Sequence, residues 1–241
     1  MLLNNKFAIG CLVQFYEIDI IEEYINSVKQ SLKNIQNKEN VIVDFCLNIN
    51  EGLEQLDKDK IDMEDIVSKF NTFLLDFNPR YVETSYNKDE IYTIADYRRE
   101  FNEKYCDEVD VLMWGESDAL IPRQTWEILD NLHTAVIVDT PKYVGFFSTC
   151  KMWDDTWKIL EHPDFTDKPF TEGDTENWWS LRYNMTQEEM DKINDTVEDL
   201  DIQTTNNLKF NGCGLVISSE VIRSGVNIPK SVFFVHEDTA F

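Results

Sequence analysis

An apolar run, an amphipathic stretch and a second apolar run follow one another within the first fifty residues. That succession limits the fold more than any other feature. "KFAIGCLVQF" (6–15) is apolar with few breaks, as a buried strand is. Ile18, Ile21, Ile25, Val28, Leu32 and Ile35 then recur at steps of three and four, the spacing of one buried helix face. "NVIVDFCLNIN" (40–50) is a second strand pattern. Two strands joined by a helix make a right-handed βαβ unit, so the order predicts a parallel sheet.

The alternation continues. Met63, Ile66, Phe70, Phe73 and Phe77 mark a helix ended by Pro79, and "RYVETSY" (80–86) reads as a third strand. Ile94, Tyr97, Phe101 and Tyr105 line a further helix, and "VDVLMW" (109–114) supplies a fourth strand. Pro122 opens another expected helix, "PRQTWEILDNLH", because proline's missing N–H costs little at the first helical positions. "AVIVDT" (135–140) and "YVGFFSTC" (143–150) read as strands, residues 151–185 are aromatic, acidic and irregular, and 186–201 form a polar helical excursion. "LKFNGCGLVIS", a short "SEVIRSG" helix and "SVFFVHEDTAF" follow. With no repeat or linker, the expectation is one α/β domain: a mixed, mostly parallel sheet flanked by helices.

Charge narrows the partners. Forty-six acidic against 22 basic residues give −24, a field that repels phosphate backbones and disfavours duplex nucleic acid. It still permits a local basic pocket, or a divalent ion bridging acid to phosphate. No apolar stretch approaches the roughly 20 residues of a membrane span, and the first residues lack the pattern of a signal peptide. Five cysteines without a CxxC pair suit free thiols and a cytoplasmic location.

The candidate chemistry lies where apolar runs stop. After Trp114 and Gly115 come Glu116, Ser117 and Asp118. Alternate residues of an extended segment point the same way, so both carboxylates can face one point beyond a strand end. Paired carboxylates suit Mg²⁺ or Mn²⁺, which complete their shell with substrate phosphates. The same residues also make an ordinary turn, with Asp118 as a cap. "FFVHED" ends a second run. There a carboxylate, Glu237 or Asp238, could act as a general base, and His236 as a metal ligand or acid–base group; a solvated segment is the alternative.

"NGCG" brings Gly212 and Gly214 close together, for a tight approach to a ligand or a strand-entry turn. Arg98 and Arg99 lie on the helix before the acidic strand. One guanidinium could meet a diphosphate, while divergent helix positions leave the other expected on the solvated face. Trp178, Trp179 and Tyr183 could stack on sugar rings, although so many aromatics favour a local core. His133 and His162 read as structural or surface residues, and no cysteine has a nucleophile's neighbours. Nothing in the sequence matches a dinucleotide or P-loop motif.

In their order, these pieces resemble the GT-A glycosyltransferases, most closely the family-2-like group. The resemblance runs from "AIGCLVQFYEIDIIEEYINSV" through "ADYRREFNEKYCDEVDVLMWGESDALIP" and "NGCGLVISSEVI" to "HEDTAF". It implies a Rossmann-like GT-A fold, with 1–120 as the nucleotide-sugar-binding half and 121–241 as the acceptor-binding half. Glu116 and Asp118 then stand for the DxD pair that holds Mn²⁺ or Mg²⁺ on the donor diphosphate, with Ser117 between them. Asp238, or Glu237 beside it, stands for the base. Val13, Phe15, Asn48 and Asn50 would lie around the donor base, Arg98 near the phosphates, and Gly212, Gly214, Trp178 and Trp179 on the acceptor side. Glu116 replaces the motif's first Asp, "YRR" stands where the family has "ARN", and "DDGS" is missing after the second strand.

The implied function is inverting, metal-dependent transfer of a sugar from a nucleotide-diphosphate sugar, a UDP-sugar, to a glycan or other hydroxyl acceptor. The rival readings are a metal-dependent nucleotidyltransferase and a non-catalytic glycan- or nucleotide-binding module.

Overall fold

The computed structural model describes residues 1–18, 21–50, 62–75, 77, 82–87, 92–117, 119–146, 150–151, 188, 195, 214–232 and 240–241. The first apolar run forms β1 (Phe7–Gln14) and the second β2 (Val41–Asn50), joined by α1 (Ile21–Leu32). Next come α2 (Met63–Phe73), β3 (Val82–Asn87), α3 (Ile94–Tyr105) and β4 (Val111–Trp114). Further along are β5 (Ala119–Leu120), α4 (Thr125–Val136), β6 (Val144–Phe146), β7 (Cys150–Lys151), β8 (Leu215–Ser218) and α5 (Ser219–Arg223). The main sheet has the order β3-β2-β1-β4-β8-β6; β5 and β7 form a separate pair. Strands β1 to β4 are parallel, and β8 runs antiparallel to both β4 and β6. This is the mixed, mostly parallel sheet expected, in a Rossmann-like arrangement.

Period-two alternation sorts the side chains onto two faces. Phe7, Ile9, Cys11 and Val13 of β1 join Val43, Phe45 and Leu47 of β2, and Val111 and Met113 of β4, in a core completed by α1, α2 and α4. Ala8, Leu12, Cys46, Leu112, Trp114, Leu215 and Ile217 meet α3 and α5 on the opposite face. The isoleucine series behaves as its spacing requires: Ile18, Ile21, Ile25, Val28, Leu32 and Ile35 are all buried.

Helix α3 is fixed from both ends. Thr93 caps it by accepting from the Asp96 backbone N–H, while the Asp96 carboxylate accepts from the Thr93 N–H. On its inner face Tyr97, Phe101 and Tyr105 pack in series, the first pair stacked and the second edge-on, with ring centroids 6.1 and 5.2 Å apart. Tyr97 and Tyr105 donate to Asp44, a buried carboxylate in mid-β2, at 2.9 and 2.5 Å.

Two expectations fail here. Helix α4 begins at Thr125, not at Pro122, whose carbonyl accepts from the Thr125 N–H and hydroxyl in the preceding turn. "AVIVDT" is not a strand. Ala135 and Val136 finish α4, and Ile137 closes it through a bond to the His133 carbonyl, so the buried face of Trp126, Leu129 and His133 overrides local β propensity. Among the described residues no helix is long and apolar enough to cross a membrane.

His133, in the last turn of α4, is buried against Tyr143, with Nδ1 2.9 Å from the phenol oxygen. Burial lowers its pKa from the usual 6.5, against the opposing pull of Asp110 and Asp130. The unfolded chain therefore binds this proton first, and stability should fall as pH drops from about 6.5 through the lower folded value. Denaturant unfolding of the wild type should show that loss, and His133→Gln should lack this component; equal pH slopes in both proteins would contradict the assignment.

Candidate active site

Strand order reverses between β1 and β4. β1 leads to β2 on one side, whereas β4 lies on the other, and ligands of open α/β sheets bind beyond the carboxyl ends of strands at such a switch. The two rims differ in height. β4 ends at Trp114, opposite Gly10, while β1 continues to Gln14, paired with Asn48 of β2, a further rise of roughly 13 Å at about 3.3 Å per residue.

The low rim is built around a buried cation. Arg98 of α3 is only 2% exposed, and its Nη2 donates to Glu116 Oε1 at 2.9 Å. Its Cζ lies 4.8 Å from the centroid of the fully buried Trp114 ring, whose Nε1 donates to Asn102 Oδ1 at 2.9 Å. Gly115 carries the chain out of β4, its N–H bonded to the Gly10 carbonyl at 2.7 Å. A Cβ there would collide with the Tyr24 hydroxyl, so this exit requires glycine. The turn reading also holds for the backbone: the Ala119 N–H bonds to the Glu116 carbonyl at 3.0 Å, around a buried Ser117. Asp118 lies outside the described residues.

The high rim carries amides. Asn48 Nδ2 donates to Gln14 Oε1 at 3.1 Å and to the Tyr92 carbonyl at 2.9 Å. Its Oδ1 is buried and has no hydrogen-bond partner among the described residues. Val13 and Phe15, expected beside a donor base, belong to the hydrophobic core. Gln14, which the sequence did not single out, is the partly exposed side chain at this end. Asn50 ends β2, and its side chain is outside the described set.

Gly214 adopts φ 66°, and its N–H bonds to the Trp114 carbonyl at 3.1 Å. It therefore makes the entry turn of β8 beside the low rim. Arg99 corrects an expectation. It is 8% exposed rather than solvated, and donates to the carbonyls of Ile228, Pro229 and Val232. Helix divergence does separate the two arginines, but the second faces another packed segment, not water. Gly212, Trp178, Trp179, His236, Glu237 and Asp238 lie outside the described residues. Among the described residues no three His, Cys, Asp or Glu side chains gather as a metal would require.

No family model matches this chain, and no curated protein matches its sequence. Solved structures do. S. aureus TarS 1–349 shares 12% identity with a TM-score of 0.50, over 97% of this chain and 53% of that one. The TarS 1–349 complex with UDP-GlcNAc gives 16% identity and a TM-score of 0.37, over 65% of this chain and 37% of that one. The chain thus spans about half the length of the first of these, and shares the general fold of a glycosyltransferase.

The buried pair is asymmetric, with Glu116 23% exposed and Arg98 nearly enclosed. Removing the carboxylate takes a charge-assisted hydrogen bond from an enclosed cation, whereas removing the cation leaves an acid that water can reach. Glu116→Gln should cost on the order of 2–3 kcal/mol of stability, and Arg98→Met less. Urea unfolding of both variants checks this, and the reverse ranking would contradict the stated balance.

Proposed function

We propose that this chain is a nucleotide-sugar-dependent glycosyltransferase of GT-A type, with residues 1–120 binding the donor and 121–241 the acceptor. The observation that carries the reading is the Arg98–Glu116 pair at the switch point of a sheet shared with a glycosyltransferase. A nucleoside diphosphate must leave with its charge neutralised, and a pre-placed cation at the low rim serves that need without reorganisation.

The high rim suits the base. Asn48 Oδ1 needs a donor, and its Nδ2 is already committed to Gln14 and Tyr92. An N–H such as the imide of uracil fits that acceptor, which supports a UDP-sugar. The metal reading is supported by the carboxylate chemistry of Glu116 and Asp118. Arg98 engages one Glu116 oxygen, and Glu116 and Asp118 together would hold the ion. A divalent ion there would supply Lewis-acid stabilisation to the leaving diphosphate.

Transfer requires a base across the cleft. Asp238, with Glu237 as its neighbour, takes the proton of the acceptor hydroxyl as that oxygen attacks the anomeric carbon. The bond from that carbon to the diphosphate oxygen breaks on the opposite face, which inverts configuration. Arg98 holds the departing charge, and Trp178 and Trp179 offer faces for the acceptor.

Calorimetry and turnover together separate the two sides of the site. Asp118→Asn should abolish metal-dependent binding of UDP-sugar in a folded protein. Asp238→Asn should keep donor affinity while turnover falls by about 10²–10⁴. Unchanged metal dependence in the first variant removes the acidic turn from the site; normal turnover in the second removes the base.

A further inference from the structure

Residues 228–232 are bound to α3 by a guanidinium that the chemistry above does not use. Arg99 Nε donates to the Ile228 carbonyl at 3.0 Å, and Nη2 donates to those of Pro229 and Val232 at 3.2 and 3.4 Å. Nη1 holds Asp96 at 2.9 Å. Asn227 adds to the attachment. Its Nδ2 donates to the Arg99 carbonyl at 3.2 Å, and its Oδ1 accepts from Asn102 at 2.9 Å. Further on, the Phe241 ring meets Trp114 edge-on at 5.3 Å.

Carbonyls in irregular backbone need donors from elsewhere. Arginine suits this place because its planar fork serves several acceptors at once from fixed positions, whereas an ammonium is a point donor on a flexible stem. The contacts also converge. Arg98 and Asn102 both touch Trp114, Asn102 also bonds Asn227, and Trp114 receives Phe241. Residues 227–232 and 241 are thereby referenced to the platform that carries the Arg98–Glu116 pair.

We infer that Arg99 is a positioning residue: it sets residues 228–232, which precede Glu237 and Asp238 in the chain, against the helix that carries Arg98. The catalytic consequence rests on the proposed transferase function; the clamp itself does not. Adjacent arginines would then divide the work, with Arg98 on the diphosphate side and Arg99 fixing residues 228–232.

Arg99→Lys is the informative variant, since it keeps the charge for Asp96 but loses the fork. Amide hydrogen exchange across 227–241 should quicken, while β4 and residues 115–117 stay at wild-type rates. UDP-sugar affinity with Mn²⁺ should stay within about twofold of wild type while kcat falls roughly 10- to 100-fold, the scale of an ångström-sized misplacement. Should the lysine variant not fold, Asn227→Ala cuts the neighbouring bonds without touching the guanidinium, and the same pattern is expected with smaller amplitude. Unchanged exchange across 227–241 would overturn the clamp. Donor affinity and kcat falling by one common factor would overturn the positioning role. A wild-type protein that transfers no sugar would overturn the function proposed above, and exchange alone would then decide the clamp.

Discussion

A guanidinium enclosed almost completely between a helix and a strand cannot stay charged without a counter-ion, and Arg98 cannot shed its proton. Much of the site's construction follows from that requirement. Glu116, two residues past the end of β4, supplies that counter-ion within reach of α3. Trp114 must turn its ring toward the cation, and its indole N–H then needs an acceptor, which Asn102 supplies one helical turn beyond Arg98. Gly115 must be glycine for the chain to leave the strand past Tyr24.

The cation is placed by the helix, and the helix by a second buried charge. Asp44 accepts from Tyr97 and Tyr105, two turns apart on α3, and pairs with Lys104 at 3.3 Å. Burial, reinforced by the neighbouring carboxylate, raises both phenols, which keeps them protonated as donors. Two fixed points on one face set the rotation of α3 about its axis. Arg98 and Asn102 then point at Trp114, and Arg99 reaches residues 228–232. Neighbouring contacts along the sheet-facing side of one helix thus couple the middle of β2 to the end of β4.

The parts of this architecture legible in the sequence are those with short-range periodicity. β1, α1, β2, α3 and β4 repeat their apolar residues at steps of two or of three and four, and each formed close to where its pattern lay. The acidic turn after Trp114 was legible as well, because a buried run that stops at Gly115 leaves few places for Glu116. Contacts across the chain were not. Arg99 finds its carbonyls about 130 residues away, and no local pattern distinguishes that from a solvated arginine. Gln14 becomes a site candidate only when the register sets it opposite Asn48. Val13 and Phe15 lie near a strand end, yet Val13 follows the alternation of β1 into the core and Phe15 is buried in the short helical turn that follows. "AVIVDT" misled because β-branched residues in a helix's last turn look like a strand when the helix's buried face is ignored.

The central claim is that the crevice at the β1–β4 switch point transfers a sugar from a nucleotide diphosphate. Identifying the nucleotide product tests it most directly. The protein is incubated with UDP-sugars, Mn²⁺ and a panel of hydroxyl acceptors, and in parallel with nucleoside triphosphates and sugar phosphates, and the nucleotides are resolved by chromatography. The account predicts metal-dependent release of UDP in the first mixture, together with a glycosylated acceptor. Pyrophosphate released in the second mixture, with no UDP in the first, would contradict it and assign the site to nucleotidyl transfer.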